Sequence, residues 1–154
     1  MAMIRCQLLA PLFLAVLLIA PFIVAVDVKY CDKKEEYDVK VNGVEITPYP
    51  IARGEPATFS ISANTDKSIS GGKLQIEVAY FGWHIHTETH NLCDETSCPV
   101  TTGDFVVAHS QVLPGFTPPG SYALTMKMFD GDKHQLTCIS FDFDIGFASS
   151  VADS

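Results

Sequence analysis

The stretch FGWHIHTETHNLCDETSCP, residues 81–99, holds most of the side chains that could do chemistry. It carries three of the five histidines, His84, His86 and His90, with Glu88 between them. On an extended chain, alternate side chains share a face, so His84 and His86 would point the same way, with Glu88 nearby. Two imidazoles on one face with a carboxylate nearby are a donor set that an oxidase metal could use. The spacing between His86 and Glu88 is shorter than the usual oxidase pattern, and His109 and His134 stand alone further along the chain. The segment therefore reads as a polar strand end and loop beside a cleft, with no metal assigned. No G-x-S-x-G turn, phosphate loop or apolar carboxylate pair accompanies it. No catalytic residue and no cofactor is expected, and an enzyme is not the reading.

Cys93 and Cys98 raise the question of compartment. The first residues run MAMIRCQLLAPLFLAVLLIAPFIVAVDVKYC, with Arg5 as the single charge before Asp27. A short basic start and a long apolar run describe a signal peptide, here residues 1–25, ending at the small Ala25. A retained membrane anchor is the competing reading. Cleavage leaves about 129 residues, enough for one domain with a core of its own. It also removes Arg5, which takes the net charge from −8 to about −9. That balance argues against nucleic acid as a partner. Cys6 leaves with the signal, and Cys31, Cys93, Cys98 and Cys138 remain. Four cysteines in an oxidising compartment read as two disulfides with three pairings. Local closure favours Cys93–Cys98, which leaves Cys31–Cys138.

The elements that would position these groups are strands. ATFSISAN sets Ala57, Phe59, Ile61 and Ala63 on one face. GKLQIEVAY does the same with Leu74, Ile76, Val78 and Tyr80, and GSYALTMKMF with Tyr122, Leu124, Met126 and Met128. CISFDFDIGF sets Ile139, Phe141, Phe143 and Ile145 against Ser140, Asp142 and Asp144. Such period-two runs are strands with one dry face. YDVKVNGVEITPYP and DFVVAHSQV are weaker candidates, and no amphipathic helix is evident. Turns at Asn42-Gly43, Gly71-Gly72, the PGFTPPG run and Asp130-Gly131 separate the strands. Seven or so strands of this kind make two packed antiparallel sheets. The tail 149–154 is expected to be frayed.

Order and spacing then bring a family into view. NLCDETSCPVTTGDF followed by LPGFTPPGSYALTMKMFDGDKHQLTCISFDFDI resembles the ML lipid-recognition domains. The shared features are Cys31 soon after the signal, the short Cys93-to-Pro99 loop, the Pro119-Gly120-Ser121-Tyr122 step, and Asp130-Gly131 with Leu136 and Cys138. The four-cysteine form is similar to the plant branch, beside phosphatidylglycerol/phosphatidylinositol transfer proteins and the Niemann–Pick type C cholesterol carrier. The cholesterol carrier's additional disulfide near its N-terminus has no counterpart here, where TPYPIARG stands. The resemblance implies an immunoglobulin-like β-sandwich over residues 26–148 with an apolar cavity between its sheets, and it ties the first cysteine to the last.

The function it implies is that of a lipid-binding protein, one that takes a single sterol or phospholipid between its sheets and moves it between membranes. Such a chain would be a monomer of the secretory pathway, extracellular or in a vacuole- or lysosome-like compartment, touching membranes transiently. The expected lining is Phe59, Ile61, Leu74, Ile76, Val78, Tyr80, Tyr122, Leu124, Met126, Met128, Ile139, Phe141 and Phe143, with Trp83, Ile85 and Phe116 at the mouth. The alternative is a secreted recognition module that acts through a membrane-protein partner, with the lipid sensed or structural.

Overall fold

The structure, a computed structural model, describes residues 22–147. Within them nine strands form two antiparallel sheets. The strands are β1 (Val24–Val26), β2 (Lys29–Tyr30), β3 (Val39–Thr47), β4 (Pro56–Thr65), β5 (Gly72–Tyr80), β6 (Trp83–Asn91), β7 (Gly103–Val112), β8 (Gly120–Asp130) and β9 (Gln135–Ile145). One four-residue helix, α1 (Leu92–Glu95), stands between β6 and β7. One sheet has the order β1-β3-β4-β7 and the other β2-β9-β8-β5-β6. The end of the proposed signal, at residue 25, falls inside β1, which pairs with β3. Residues 1–21 and the tail 149–154 lie outside the described residues.

Alternation becomes burial as the period-two pattern requires. Ala57, Phe59, Ile61 and Ala63 on β4, Leu74 and Ile76 on β5, and Tyr122, Leu124, Met126 and Met128 on β8 are all buried between the sheets. On β9, Ile139, Phe141, Phe143 and Ile145 are buried while Asp142 and Asp144 face water. The strong runs are thus the central strands of each sheet, where a side chain must satisfy neighbours on both sides. Phe141 packs on Phe59 with ring centroids 6.2 Å apart. Phe141→Ala should cost about 3–5 kcal/mol in a denaturant melt, as for a large side chain lost from a closed core.

Residues 83–91 differ from the expectation of a strand end and loop. They form β6, an edge strand paired along its length with β5. Alternation does not reveal it because both faces are polar. A β-bulge between Val78 and Ala79 re-aims its first residues. Beyond it, His86, Glu88 and His90 lie opposite Val78, Ile76 and Leu74, and so share the inward face of the sheet.

Both disulfides join the expected cysteines. Cys31–Cys138 ties the chain just after β2 to β9 across 107 residues, and Cys93–Cys98 closes a loop of five. The small loop encloses Glu95, and Thr96 Oγ1 donates to the carbonyl of Val106 at 2.8 Å. The cystine thereby fixes α1 against β7.

Candidate functional site

The sheets are in contact at one end and apart at the other. Met126, Met128, Leu74, Ile139, Ile61 and Phe141 fill the closed end. Toward the start of β8 and the end of β9, the sheets separate around a cavity of about 470 Å³. Its walls are Ala57 and Phe59 from β4, Ile76 and Val78 from β5, Tyr122 and Leu124 from β8, and Phe143 and Ile145 from β9. Ile51 and the segment Leu113–Thr117–Pro118, with Pro114 and Phe116, complete the apolar wall. Ile85, His86 and Glu88 from β6 and His109, Gln111 and Val112 from β7 close the remaining side.

Of the residues expected to line a pocket, Phe59, Ile76, Val78, Ile85, Phe116, Tyr122, Leu124 and Phe143 border this cavity. Ile61, Leu74, Met126, Met128, Ile139 and Phe141 do not border it. They face inward, but at the closed end, where opposing side chains already meet. Tyr80 stands beside the cavity: its hydroxyl donates to the carbonyl of Pro119 at 3.0 Å and its ring stacks on Tyr122. Trp83 is at the exposed start of β6, 77% accessible, and stands off the wall. Sequence reasoning misses Ile51, Ala57 as a wall residue, and the polar group from β7. Ala57 belongs to an alternating run, which is the signal that could have found it; Ile51 sits in a loop with no periodic signal.

The lip of the cavity is held by main-chain acceptors. The segment 113–119 crosses from one sheet to the other. Arg53 Nη1 donates to the Thr117 carbonyl at 3.2 Å, and the Tyr122 hydroxyl donates to Pro118 at 2.6 Å. Burial raises the Tyr122 hydroxyl above its ordinary value, with Tyr80 adding and Arg53 opposing, so it remains a donor. Gly120 has φ +130°, a conformation open to glycine, and a Cβ there would lie 3.4 Å from the Tyr80 hydroxyl. An aromatic series runs outward from the wall. Phe59 meets Phe143 at 5.7 Å, Phe143 meets Tyr122 at 5.6 Å, and Tyr80 reaches Phe81 at 4.4 Å. On the cavity wall Ile85, Val112 and Phe116 are exposed, Phe116 at 87%, and Phe81 and Trp83 at the β5–β6 turn are exposed as well.

The side between β6 and β7 is polar. Each of these two strands is an edge of its sheet, and no backbone ladder joins them. Glu88 Oε1 lies 2.9 Å from His90 Nε2 and 3.3 Å from His109 Nε2. His86 Nε2 meets the other Glu88 oxygen at 2.9 Å. Glu95 on α1 meets His109 Nδ1 at 2.9 Å, and Gln111 Oε1 lies 3.1 Å from His109 Nε2. Inward-facing polar groups at a sheet edge are tolerable because they satisfy one another. Burial raises the Glu88 carboxyl, but hydrogen bonds from His90 and His86 and the charges of His90 and His109 outweigh it and hold it below the ordinary value. His109, which stands alone in the sequence, is thus brought to His90 with ring centroids 4.6 Å apart.

Comparison with known proteins identifies the architecture. Residues 25–145 match the family described as the ML domain. A protein of Arabidopsis thaliana named as an MD-2-related lipid-recognition protein is 32% identical over 98% of this chain and 97% of its own length. A Dictyostelium discoideum protein bearing the name of a phosphatidylglycerol/phosphatidylinositol transfer protein is 32% identical over 73% of this chain and 80% of its own length. Among solved structures, a Niemann-Pick type C2 protein from the Japanese carpenter ant superposes with a TM-score of 0.54 at 13% identity, covering 82% of this chain and 92% of that one. At that identity the likeness speaks for the fold.

Proposed function

The chain belongs to the ML-domain family, and on that premise we propose that it takes one lipid, a sterol or a phospholipid, between its sheets and carries it between membranes. The observation that carries this reading is the cavity of about 470 Å³, apolar on most of its wall and opening beside exposed apolar side chains. That volume falls in the range of ligand sites, roughly 300–1,000 Å³. Each methylene taken from water into such a wall contributes about 0.8 kcal/mol. No bond is made or broken, and no residue is given a catalytic role. The two disulfides support a route through the oxidising secretory pathway. The protein acts as a monomer.

The rim supplies the membrane contact. With a net charge of −8, or about −9 without the signal, the chain gains little from anionic headgroups, so apolar side chains must do the docking. Phe81 and Trp83 are exposed and stand off the cavity wall. Replacing both, Phe81→Asp and Trp83→Asp, should lower vesicle-to-vesicle lipid transfer by about tenfold, equivalent to about 1.4 kcal/mol of lost docking. Affinity for a fluorescent lipid should stay the same. The assay is dequenching of labelled lipid moving from donor to acceptor vesicles. A wild type that moves neither sterol nor phospholipid would remove the carrier reading.

A further inference from the structure

The polar seam between β6 and β7 forms one side of the cavity, and the apolar contacts of the lipid reading leave its geometry unexplained. We propose that His90, His109 and Glu88 form a zinc site that staples these two edge strands together, an inference that stands apart from the lipid reading. One ligand atom from each of the three lies within 4.8 Å of the others. The contacts of Glu88 Oε1 to His90 Nε2 and His109 Nε2, 2.9 and 3.3 Å, are near the separation of about 3.3 Å between ligands on a tetrahedral ion with bonds of about 2.0–2.1 Å. Two imidazoles and one carboxylate suit zinc and are a poor set for calcium or magnesium, which take oxygen.

The surroundings are those of a metal centre. A metal-bound imidazole generally donates its second nitrogen to a carboxylate, which fixes the ring and its tautomer. Glu95 does this for His109, with Oε1 2.9 Å from Nδ1, and approaches His90 Nδ1 at 3.9 Å. Both rings then present Nε2 toward Glu88. His86 holds the second Glu88 oxygen at 2.9 Å, and Gln111 Oε1, 3.1 Å from His109 Nε2, stands near a fourth position that water or this amide can fill. Each support comes from a different place in the chain. β6 brings Glu88 and His90, β7 brings His109 and Gln111, and the Cys93–Cys98 loop brings Glu95.

Titration of Zn²⁺ into the chain, purified without a polyhistidine tag and freed of metal by chelator, tests the site. One ion per chain should bind with micromolar or tighter affinity. At a hundredfold excess over Kd the melting temperature should rise by about 10 °C. X-ray absorption of the zinc-loaded wild type should show two imidazoles and oxygen at about 2.0–2.1 Å, and no sulfur. His109→Gln, His90→Gln and Glu88→Gln should each weaken binding at least tenfold, and the double variant His84→Gln/His134→Gln should bind as the wild type does. If buried His109→Gln fails to fold, the two less buried changes decide, with near-UV circular dichroism as the fold check. No saturable binding at 100 μM Zn²⁺, a single-imidazole spectrum, or full affinity in His90→Gln and Glu88→Gln would overturn the proposal.

Discussion

Leu124→Trp should abolish lipid binding while leaving the sandwich folded. Leu124 lies on the central strand β8 and borders the cavity, so added ring volume has empty space to enter. In the wild type, a lipid that binds only the folded state raises stability by mass action, about 2.7 kcal/mol at a hundredfold excess over Kd. The variant should show no such rise, and its displacement of a fluorescent lipid should fall below detection. Met126→Trp is the contrast. Met126 is two residues along the same face but at the closed end, 1% exposed. Overpacking there should cost about 1–3 kcal/mol or more, with or without lipid. Thermal melts of the two variants, run with and without sterol and phospholipid, separate a cavity from a solid core. Equal lipid-induced shifts in the wild type and Leu124→Trp would place the ligand elsewhere.

Removing the long disulfide should have the largest effect on stability. Cys31–Cys138 closes 107 residues, for which the chain-entropy account gives about 5 kcal/mol; the five-residue Cys93–Cys98 loop gives about 2 kcal/mol. Urea melts of Cys31→Ala/Cys138→Ala and of Cys93→Ala/Cys98→Ala should therefore differ by about 3 kcal/mol. The sign has a structural reason as well. The long bridge holds β2 on β9, at the edge of the sheet that carries the cavity wall. An equal or greater loss from the short loop would mean that the position of α1 contributes more than the closure of the chain.

The strands most legible in the sequence are those with one dry face. β4, β5, β8 and β9 are visible because Phe59, Ile76, Leu124 and Phe141 each alternate with a polar neighbour. β6 is not, because an edge strand lined with histidines and threonines carries no contrast between its faces. The lining is legible only by half. Alternation says which side chains turn inward, and Met126 and Leu124 obey it equally. It carries no information on how far along a strand the two sheets diverge. That depends on the segment 113–119 crossing between sheets and on Arg53 and Tyr122 holding it, a long-range arrangement without a periodic trace. His109 reads as isolated for the same reason: 19 residues separate it from His90 in the chain, and only the apposition of β6 and β7 removes that distance.

Native mass spectrometry of the protein, after incubation with vesicles holding both sterol and phospholipid, tests lipid carriage most directly. The expected result is a population of chains each carrying one lipid, released as the chain is activated in the gas phase. A spectrum of the polypeptide alone, from protein that gives a folded melt, would contradict it.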